Sequence, residues 1–347
     1  MTVSELKAKI KSLDIAGAYI FAGEEDYLKK YYLDEIAKIA CPDEAFALFS
    51  RAIFEGEDVS VQDIAEAIKS PPMMSDFKLV EWRYPPLDAA FESTKKAVAE
   101  LALLLAEYPY AVLVLLCDAD AFDAGTAKRP SKLCQRLAKS GFNVINFERS
   151  TDNQLISWLK RHFDAEGIAA DPSVLSALIF RSGHSMHILK GEVDKLSAYA
   201  KANSLGAITK SEVELIASST LECDAFALSG AISDKRREAA FVALMDMKMR
   251  RIEPGAVLAT LQRVFSELTA VALLLEEGKD ARDMEAALGW NPYKLKLSIA
   301  SAKKWGLSRL TEAKERLRVL DAESKSGGIS GYKTIEMFIC QFIYYKK

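Results

Sequence analysis

The residues of this sequence that most resemble a chemical site follow a short apolar segment near the N-terminus. The segment GAYIFAG, residues 17–23, is typical of a buried strand, and helical character follows it. A strand, a glycine and a helix are the setting of a phosphate-binding loop, whose pattern is G-x-x-x-x-G-K-[ST]. Gly23 and Lys29 match this pattern, but Leu28 stands at its second glycine and Lys30 at its hydroxyl residue.

Three carboxylates occupy the positions at which such a loop would hold a phosphate. Glu24, Glu25 and Asp26 lie where backbone N–H groups and the positive end of the helix dipole would face a nucleotide. Carboxylates satisfy the helix end themselves and repel phosphate. We therefore interpret Gly23, Glu24, Glu25, Asp26 and Lys29 as a degenerate phosphate loop that binds no nucleotide. An ordinary turn between a strand and a helix predicts the same absence of binding.

Two pairs of side chains could be read as metal ligands. Asp118 and Asp120 follow the fourth predicted strand, whereas the magnesium-holding acids of P-loop domains with an inserted strand end the third, where this sequence reads KLVEWR. His184 and His187 lie three residues apart near a helix start, with no third ligand nearby. We expect no metal, no cofactor and no catalytic residue.

A loop stiffened by prolines carries two large apolar side chains. An amphipathic helix is predicted over residues 61–69, and Pro71 and Pro72 end it because each lacks an N–H. Met73 and Met74 follow in the loop, ahead of the third strand. Both side chains could fill gaps in the core. Alternatively, they could insert into an apolar pocket on a partner, a contact that thioether side chains suit.

Composition limits the class of protein. The net charge is −3 and the pI about 5.9, so the chain has no global basic signature for nucleic acid. Its five cysteines are scattered and form no CxxC pair, which is typical of thiols in a reducing cytosol. The longest apolar run, residues 110–117, is too short to span a bilayer. We expect a soluble cytoplasmic protein with no membrane partner.

The first part of the chain alternates between strands and helices. Strands are predicted at residues 17–23, 46–55, 77–83, 111–117 and 143–147, with helices at 61–69, about 90–106 and 131–140 between the later ones. This alternation predicts a largely parallel sheet. Helices then dominate: three at 154–166, 172–181 and 186–202, and from residue 222 onward a longer all-helical region. Its predicted helices cover 232–251, 254–278, 283–288, 292–304, 308–322 and, after a glycine-rich hinge at 324–331, 332–345.

The helix predicted at residues 292–304 places basic side chains beside aromatic ones. Trp290 and Lys294 are the residues that we expect to face DNA, because a cation and an aromatic ring can contact a phosphate and stack on a base. A solvated basic helix face is the alternative explanation.

Five short motifs together resemble the δ subunit of bacterial DNA polymerase III. In chain order they are YIFAGEEDYL (19–28), PMMSDFKLV (72–80), EVDKL (192–196), FALSGA (226–231) and KSGG (325–328), with Trp158 between the second and the third. Each motif is loose by itself, and their order and spacing over the whole chain carry the resemblance.

The resemblance implies a non-catalytic subunit of the polymerase III holoenzyme that binds and opens the sliding clamp. It implies three domains: an AAA+-like α/β domain without a working nucleotide site (1–149), a helical lid-like domain (150–219) and a helical collar (220–347). The collar would join other loader subunits in a hetero-oligomeric ring, which binds primer-template DNA. Met73 and Met74, after Pro72, stand where the family places the two apolar residues that enter a clamp pocket.

Two other classes of function remain open from the sequence. One is an AAA+ ATPase with a divergent nucleotide site, which would bind ATP in isolation. The other is a helical DNA-binding adaptor, which would bind duplex DNA without partner subunits.

Overall fold

The computed structural model describes residues 1–126, 128–326 and 331–344. The chain divides into two compact units, Met1–Ser150 and Thr151–Lys347. The further division of the second unit near residue 220 stays a prediction.

The N-terminal unit alternates helices and strands along the chain. Its elements are α1 (Val3–Lys11), β1 (Gly17–Ala22), α2 (Asp26–Ala40), α3 (Ala47–Ser50), β2 (Arg51–Glu55), α4 (Val61–Lys69), β3 (Lys78–Arg83), α5 (Glu92–Leu105), β4 (Ala111–Leu116), β5 (Gly125–Thr126), β6 (Arg129–Pro130), α6 (Lys132–Lys139) and β7 (Phe142–Asn146), with a 3-10 turn at Glu44–Phe46.

Five of these strands form one parallel sheet in the order β2-β3-β4-β1-β7. Successive residues of β1 face opposite sides: Ile20 packs into the core that holds α4, α5 and α6, and Tyr19 and Phe21 pack into the core that holds α1 and α2. Burial on both faces explains the continuous apolar run that marks this strand in the sequence. The predicted parallel α/β fold is confirmed.

The predicted strand at residues 46–55 is wrong over its first half. A 3-10 turn and α3 occupy that half, and only β2 is extended. Tertiary contacts hold the helical turn: Ser50 is buried and its hydroxyl donates to the Met73 carbonyl, while the Lys78 ammonium donates to the Phe49 carbonyl. A lysine at the C-terminal end of a helix satisfies a carbonyl that has no partner within the helix.

The C-terminal unit is built from helices. Its elements are α7 (Asp152–Ala165), β8 (Ala169–Ala170), α8 (Pro172–Ser182), α9 (Met186–Ala202), β9 (Ala207–Ile208), α10 (Lys210–Ile216), α11 (Leu221–Ser233), α12 (Arg237–Met249), α13 (Pro254–Glu276), α14 (Ala281–Leu288), α15 (Pro292–Trp305), α16 (Leu307–Lys325) and α17 (Tyr332–Tyr344).

The structure corrects two predictions in this unit. The predicted helix at 232–251 begins too early, because its first two residues are the end of α11, Lys235 has a left-handed backbone with φ of 55°, and α12 covers only Arg237–Met249. Residues 151–219 contain four helices rather than three, since α10 was not predicted. Four residues of the predicted glycine-rich hinge (327–330) and the last residue of the predicted terminal helix (345) lie outside the described residues.

Helix α13 is the central helix of the C-terminal core. Among the described residues it alone is long and apolar enough by composition to cross a membrane, and half of the relevant window is buried inside the protein. Its buried face includes Leu261, Phe265 and Leu268, which pack against α11, α15, α16 and α17. Its apolar character therefore has an explanation in the packing of the unit itself.

Candidate functional site

The two sequence motifs of the N-terminal unit lie at opposite edges of the sheet. In a parallel sheet all strands begin at one edge, here called the amino edge, and end at the other, the carboxyl edge. The phosphate-loop residues follow β1 and therefore lie at the carboxyl edge. Met73 and Met74 precede β3 and lie at the amino edge. The structure does not bring the two motifs together.

The connection between β1 and α2 is shorter than a phosphate loop. Only Gly23, Glu24 and Glu25 lie between the two elements, so that Leu28 and Lys29 are already inside the helix. Gly23 has a φ of 96°, and a Cβ there would lie 2.4 Å from the Phe147 carbonyl oxygen. The glycine is therefore required by the close approach of the chain that follows β7, and no arch remains to surround a phosphate.

Polar groups of this turn bond to other residues of the protein. The Glu25 N–H donates to the Phe147 carbonyl at 3.0 Å, and the Glu24 carboxylate is paired with Arg149. A phosphate loop needs several such N–H groups free to point at one anion.

Lys29 stands at the position of the phosphate-loop lysine, and only 2% of its side chain is exposed. Its ammonium donates to the carbonyl oxygens of Gly23 and Cys117, both at 2.8 Å, and lies 2.7 Å from the Asp26 carboxylate. Two of these partners, Gly23 and Cys117, come directly after the neighbouring strands β1 and β4. The lysine charge is thus satisfied within the fold.

The cavity at the carboxyl edge is acidic. It has a volume of about 670 Å³ and is lined by five carboxylates and one guanidinium: Glu24, Asp26, Glu57, Asp118, Asp120 and Arg149. Within the described ranges, no three His, Cys, Asp or Glu side chains are arranged to hold a metal ion. The only acid within β3, Glu81, is fully buried between Arg51 and Arg83. Glu24 is paired with Arg149 and Asp26 with Lys29, and the remaining excess of carboxylates opposes the approach of a nucleoside triphosphate.

The loop of Met73 and Met74 projects apolar side chains into solvent. Met73 is 53% exposed and Met74 is 74% exposed, which excludes the interpretation of the pair as gap-fillers in the core. Met74 also has a left-handed backbone with φ of 60°. That conformation is unfavourable for a long side chain and costs about 1–2 kcal/mol, so residues of this kind concentrate at functional sites.

The residues predicted to face DNA are packed within the C-terminal unit. The Lys294 ammonium lies 2.8 Å from the Glu222 carboxylate, 2.9 Å from that of Glu267 and 4.7 Å from the Trp290 ring centre. Burial raises the pKa of Glu222, but hydrogen bonding to Lys294 and the charges of Lys294 and Arg263 outweigh it, and the pKa lies below its ordinary value. The pairing makes the Lys294 charge less available to a phosphate. The DNA-facing role of Trp290 and Lys294 stays a prediction.

The fold and the site together define a class of protein. The N-terminal unit is a parallel α/β domain with the strand order β2-β3-β4-β1-β7, and a helical unit follows it. The family model for the DNA polymerase III delta subunit matches residues 19–140, and the model for the C-terminal domain of the same subunit matches residues 222–342. This chain belongs to the DNA polymerase III delta subunit family.

Two proteins that carry the delta name are similar to this chain over almost its whole length. The Bacillus subtilis DNA polymerase III subunit delta is 23% identical over 351 residues, covering 98% of this chain and 97% of that protein. The solved structure of the Bacillus subtilis DNA clamp loader delta protein superimposes with a TM-score of 0.57 at 20% identity, covering 99% of this chain and 100% of that one.

Proposed function

We propose that this chain is the clamp-loader subunit that binds and opens the sliding clamp, with Pro72, Met73 and Met74 as its clamp-binding residues. The observation that carries the proposal is the exposed methionine pair on a proline-stiffened loop, with Met74 in a left-handed backbone. An exposed apolar pair held in a defined conformation loses little conformational entropy on binding. Membership of the delta subunit family, and the similarity to the Bacillus subtilis DNA clamp loader delta protein, support the sliding clamp as the partner.

Replacement of both methionines tests this proposal. Burying two such side chains contributes about 1.5–3 kcal/mol each, so Met73→Ser with Met74→Ser weakens clamp binding at least tenfold. Both side chains are exposed, so the thermal melt stays unchanged. Surface plasmon resonance against the clamp and a thermal melt provide the two measurements.

Phe91→Ser is the matched control for this variant. Phe91 is 83% exposed and lies in the connection after β3, which begins at the carboxyl edge of the sheet. This control variant leaves clamp binding intact. A methionine variant that binds the clamp as tightly as the unaltered chain would refute the assignment.

The chain acts without an ATPase activity of its own. The three-residue turn after β1, the internal pairing of Lys29 and the acidic cavity at the carboxyl edge support this part of the proposal. Equilibrium dialysis of the isolated chain against ATP and Mg²⁺ therefore gives no saturable binding up to millimolar ATP. Saturable binding at micromolar ATP would favour the alternative of an AAA+ ATPase with a divergent site.

The C-terminal unit provides the contacts with other loader subunits. An apolar stripe on α12 supports this: Val242, Met245 and Met249 lie at i, i+3 and i+7, and all three are exposed. The assembled cytoplasmic loader, rather than the isolated chain, binds primer-template DNA. Duplex binding by the isolated chain would favour the adaptor alternative.

A further inference from the structure

We propose that α3 is a second clamp-contacting segment, with Leu48 as its contact residue and Ser50 as the residue that fixes it to the methionine loop. This inference rests on the proposed function. It extends the clamp-binding surface of this chain from one loop to two segments that are 25 residues apart in the sequence.

The sheet topology places the two segments side by side. Strands β2 and β3 are parallel neighbours, with Arg51 opposite Leu79. The segment that precedes β2 is α3, and the segment that precedes β3 is the methionine loop. Because neighbouring parallel strands begin at the same edge, both segments lie at the amino edge of the sheet.

Hydrogen bonds join the two segments directly. Ser50 is buried, and its hydroxyl donates to the Met73 carbonyl at 3.0 Å. The Ser75 hydroxyl lies 2.7 Å from that of Ser50. Each hydroxyl has one proton: Ser50 gives its proton to Met73, and Ser75, whose oxygen also lies 2.9 Å from the Phe77 carbonyl oxygen, shares its proton between Ser50 and Phe77. The Lys78 ammonium adds a third link, since it donates to the Phe49 carbonyl at the end of α3.

The outer face of α3 is apolar. Leu48 is 88% exposed, the highest value of any large apolar side chain among those described, and Phe49 is 48% exposed. Leu48 lies two residues from the serine that bonds to Met73. The hydrogen bond between Ser50 and Met73 therefore ties the segment that carries Leu48 to the methionine loop, and both segments expose apolar side chains at the amino edge. An apolar pocket on the clamp that receives the methionines would meet Leu48 at its border.

Leu48→Ser is the direct test, measured as clamp affinity of the full-length chain by surface plasmon resonance. We expect binding to weaken about fivefold to tenfold, with the thermal melt unchanged because the side chain is exposed. Phe91→Ser serves again as the control and leaves the affinity unchanged. Met73→Ser with Met74→Ser, measured beside them, tests the proposed function itself.

The outcomes separate the two proposals. Weakened binding by Leu48→Ser and by the methionine variant supports both. Intact binding by Leu48→Ser with loss in the methionine variant overturns this inference and leaves the proposed function standing. Intact binding by both variants overturns both. A Leu48→Ser chain that binds the clamp normally but fails to join the loader, or that loses self-association, assigns α3 to another subunit or to a second copy and also overturns the inference.

Ser50→Ala tests the link between the segments. It removes the donor to Met73 and leaves all of the apolar contact side chains in place. We expect clamp affinity to fall about threefold or more, chiefly through faster dissociation, because the loop is no longer held in the binding conformation. A lower melting temperature with unchanged clamp affinity at a temperature where the chain is folded would show that Ser50 serves the fold alone.

Discussion

Lys29 stands in the pattern of a nucleotide site, and its ammonium is used inside the fold. The two carbonyl groups that it satisfies, those of Gly23 and Cys117, come directly after β1 and β4. In a nucleotide-binding domain these strand ends lie beneath the bound phosphates. Here one buried side chain ties them together, so the residue that best matches the sequence pattern serves stability.

Lys29→Met removes this tie while keeping most of the side-chain volume. Two carbonyl groups lose a charged donor, and the free energy of unfolding falls by about 2–4 kcal/mol. Urea unfolding followed by circular dichroism measures the change. Lys30→Met, at an exposed neighbouring position, changes stability by less than about 0.5 kcal/mol and is the control. Equal stabilities for the two variants would contradict the structural role of Lys29.

At the scale of secondary-structure elements, the break between α11 and α12 shapes the C-terminal unit. Lys235 has a left-handed backbone and Arg236, which precedes α12, has a ψ of 85°, so the chain does not continue along the axis of α11. The left-handed residue instead reverses the chain, which lets α12 pack against α11 and α17. Glycine is the residue best suited to such a conformation.

Lys235→Gly distinguishes a break from a continuous helix. Glycine relieves the left-handed strain and increases the entropy of the unfolded chain by a similar amount, so stability stays within about 0.5 kcal/mol or rises. Lys314→Gly, in the middle of α16, lowers the free energy of unfolding by about 1 kcal/mol. Urea titrations of both variants make the comparison. A loss of about 1 kcal/mol at both positions would mean that the helix runs through residue 235.

At the scale of the whole molecule, the two units have separate cores and separate exposed apolar surfaces. The core of the N-terminal unit lies on the two faces of its sheet, and that of the C-terminal unit is formed by its own helices. The methionine loop belongs to the first unit and the α12 stripe to the second. Clamp binding and loader assembly should therefore be separable.

A fragment of residues 1–150 tests this separation. It retains both sheet cores, and we expect it to bind the clamp within about threefold of the full-length chain but not to join the other loader subunits. The fragment 151–347 should show the reverse behaviour. Size-exclusion chromatography with the remaining subunits and a clamp-binding assay provide the readouts, with a 1–150 fragment carrying Met73→Ser and Met74→Ser as the control. Entry of the 1–150 fragment into the loader would contradict the division of tasks.

The sequence by itself determined the elements whose periodicity and punctuation are local. The helix at residues 61–69 matches α4 because Ser60 caps it and two prolines follow it. The parallel sheet follows from buried strands with an apolar residue at nearly every position. The degenerate phosphate loop and the methionine pair were likewise visible from residue types at fixed spacing, as was the resemblance to the family.

Only the tertiary structure decided features that depend on contacts distant in sequence. Residues 46–50 have the apolar composition of a strand, but Lys78, the first residue of β3, and the hydrogen bonds of Ser50 to Met73 and Ser75 hold them as a helical turn. The same contacts join Ser50 to Met73, a proximity that no local pattern encodes. Lys294 appeared as a free cation in the sequence because its two carboxylate partners lie 72 and 27 positions earlier. The pairing of a charge, and the edge of the sheet at which a loop lies, are properties of the folded chain. They determine which of its residues remain available to a partner.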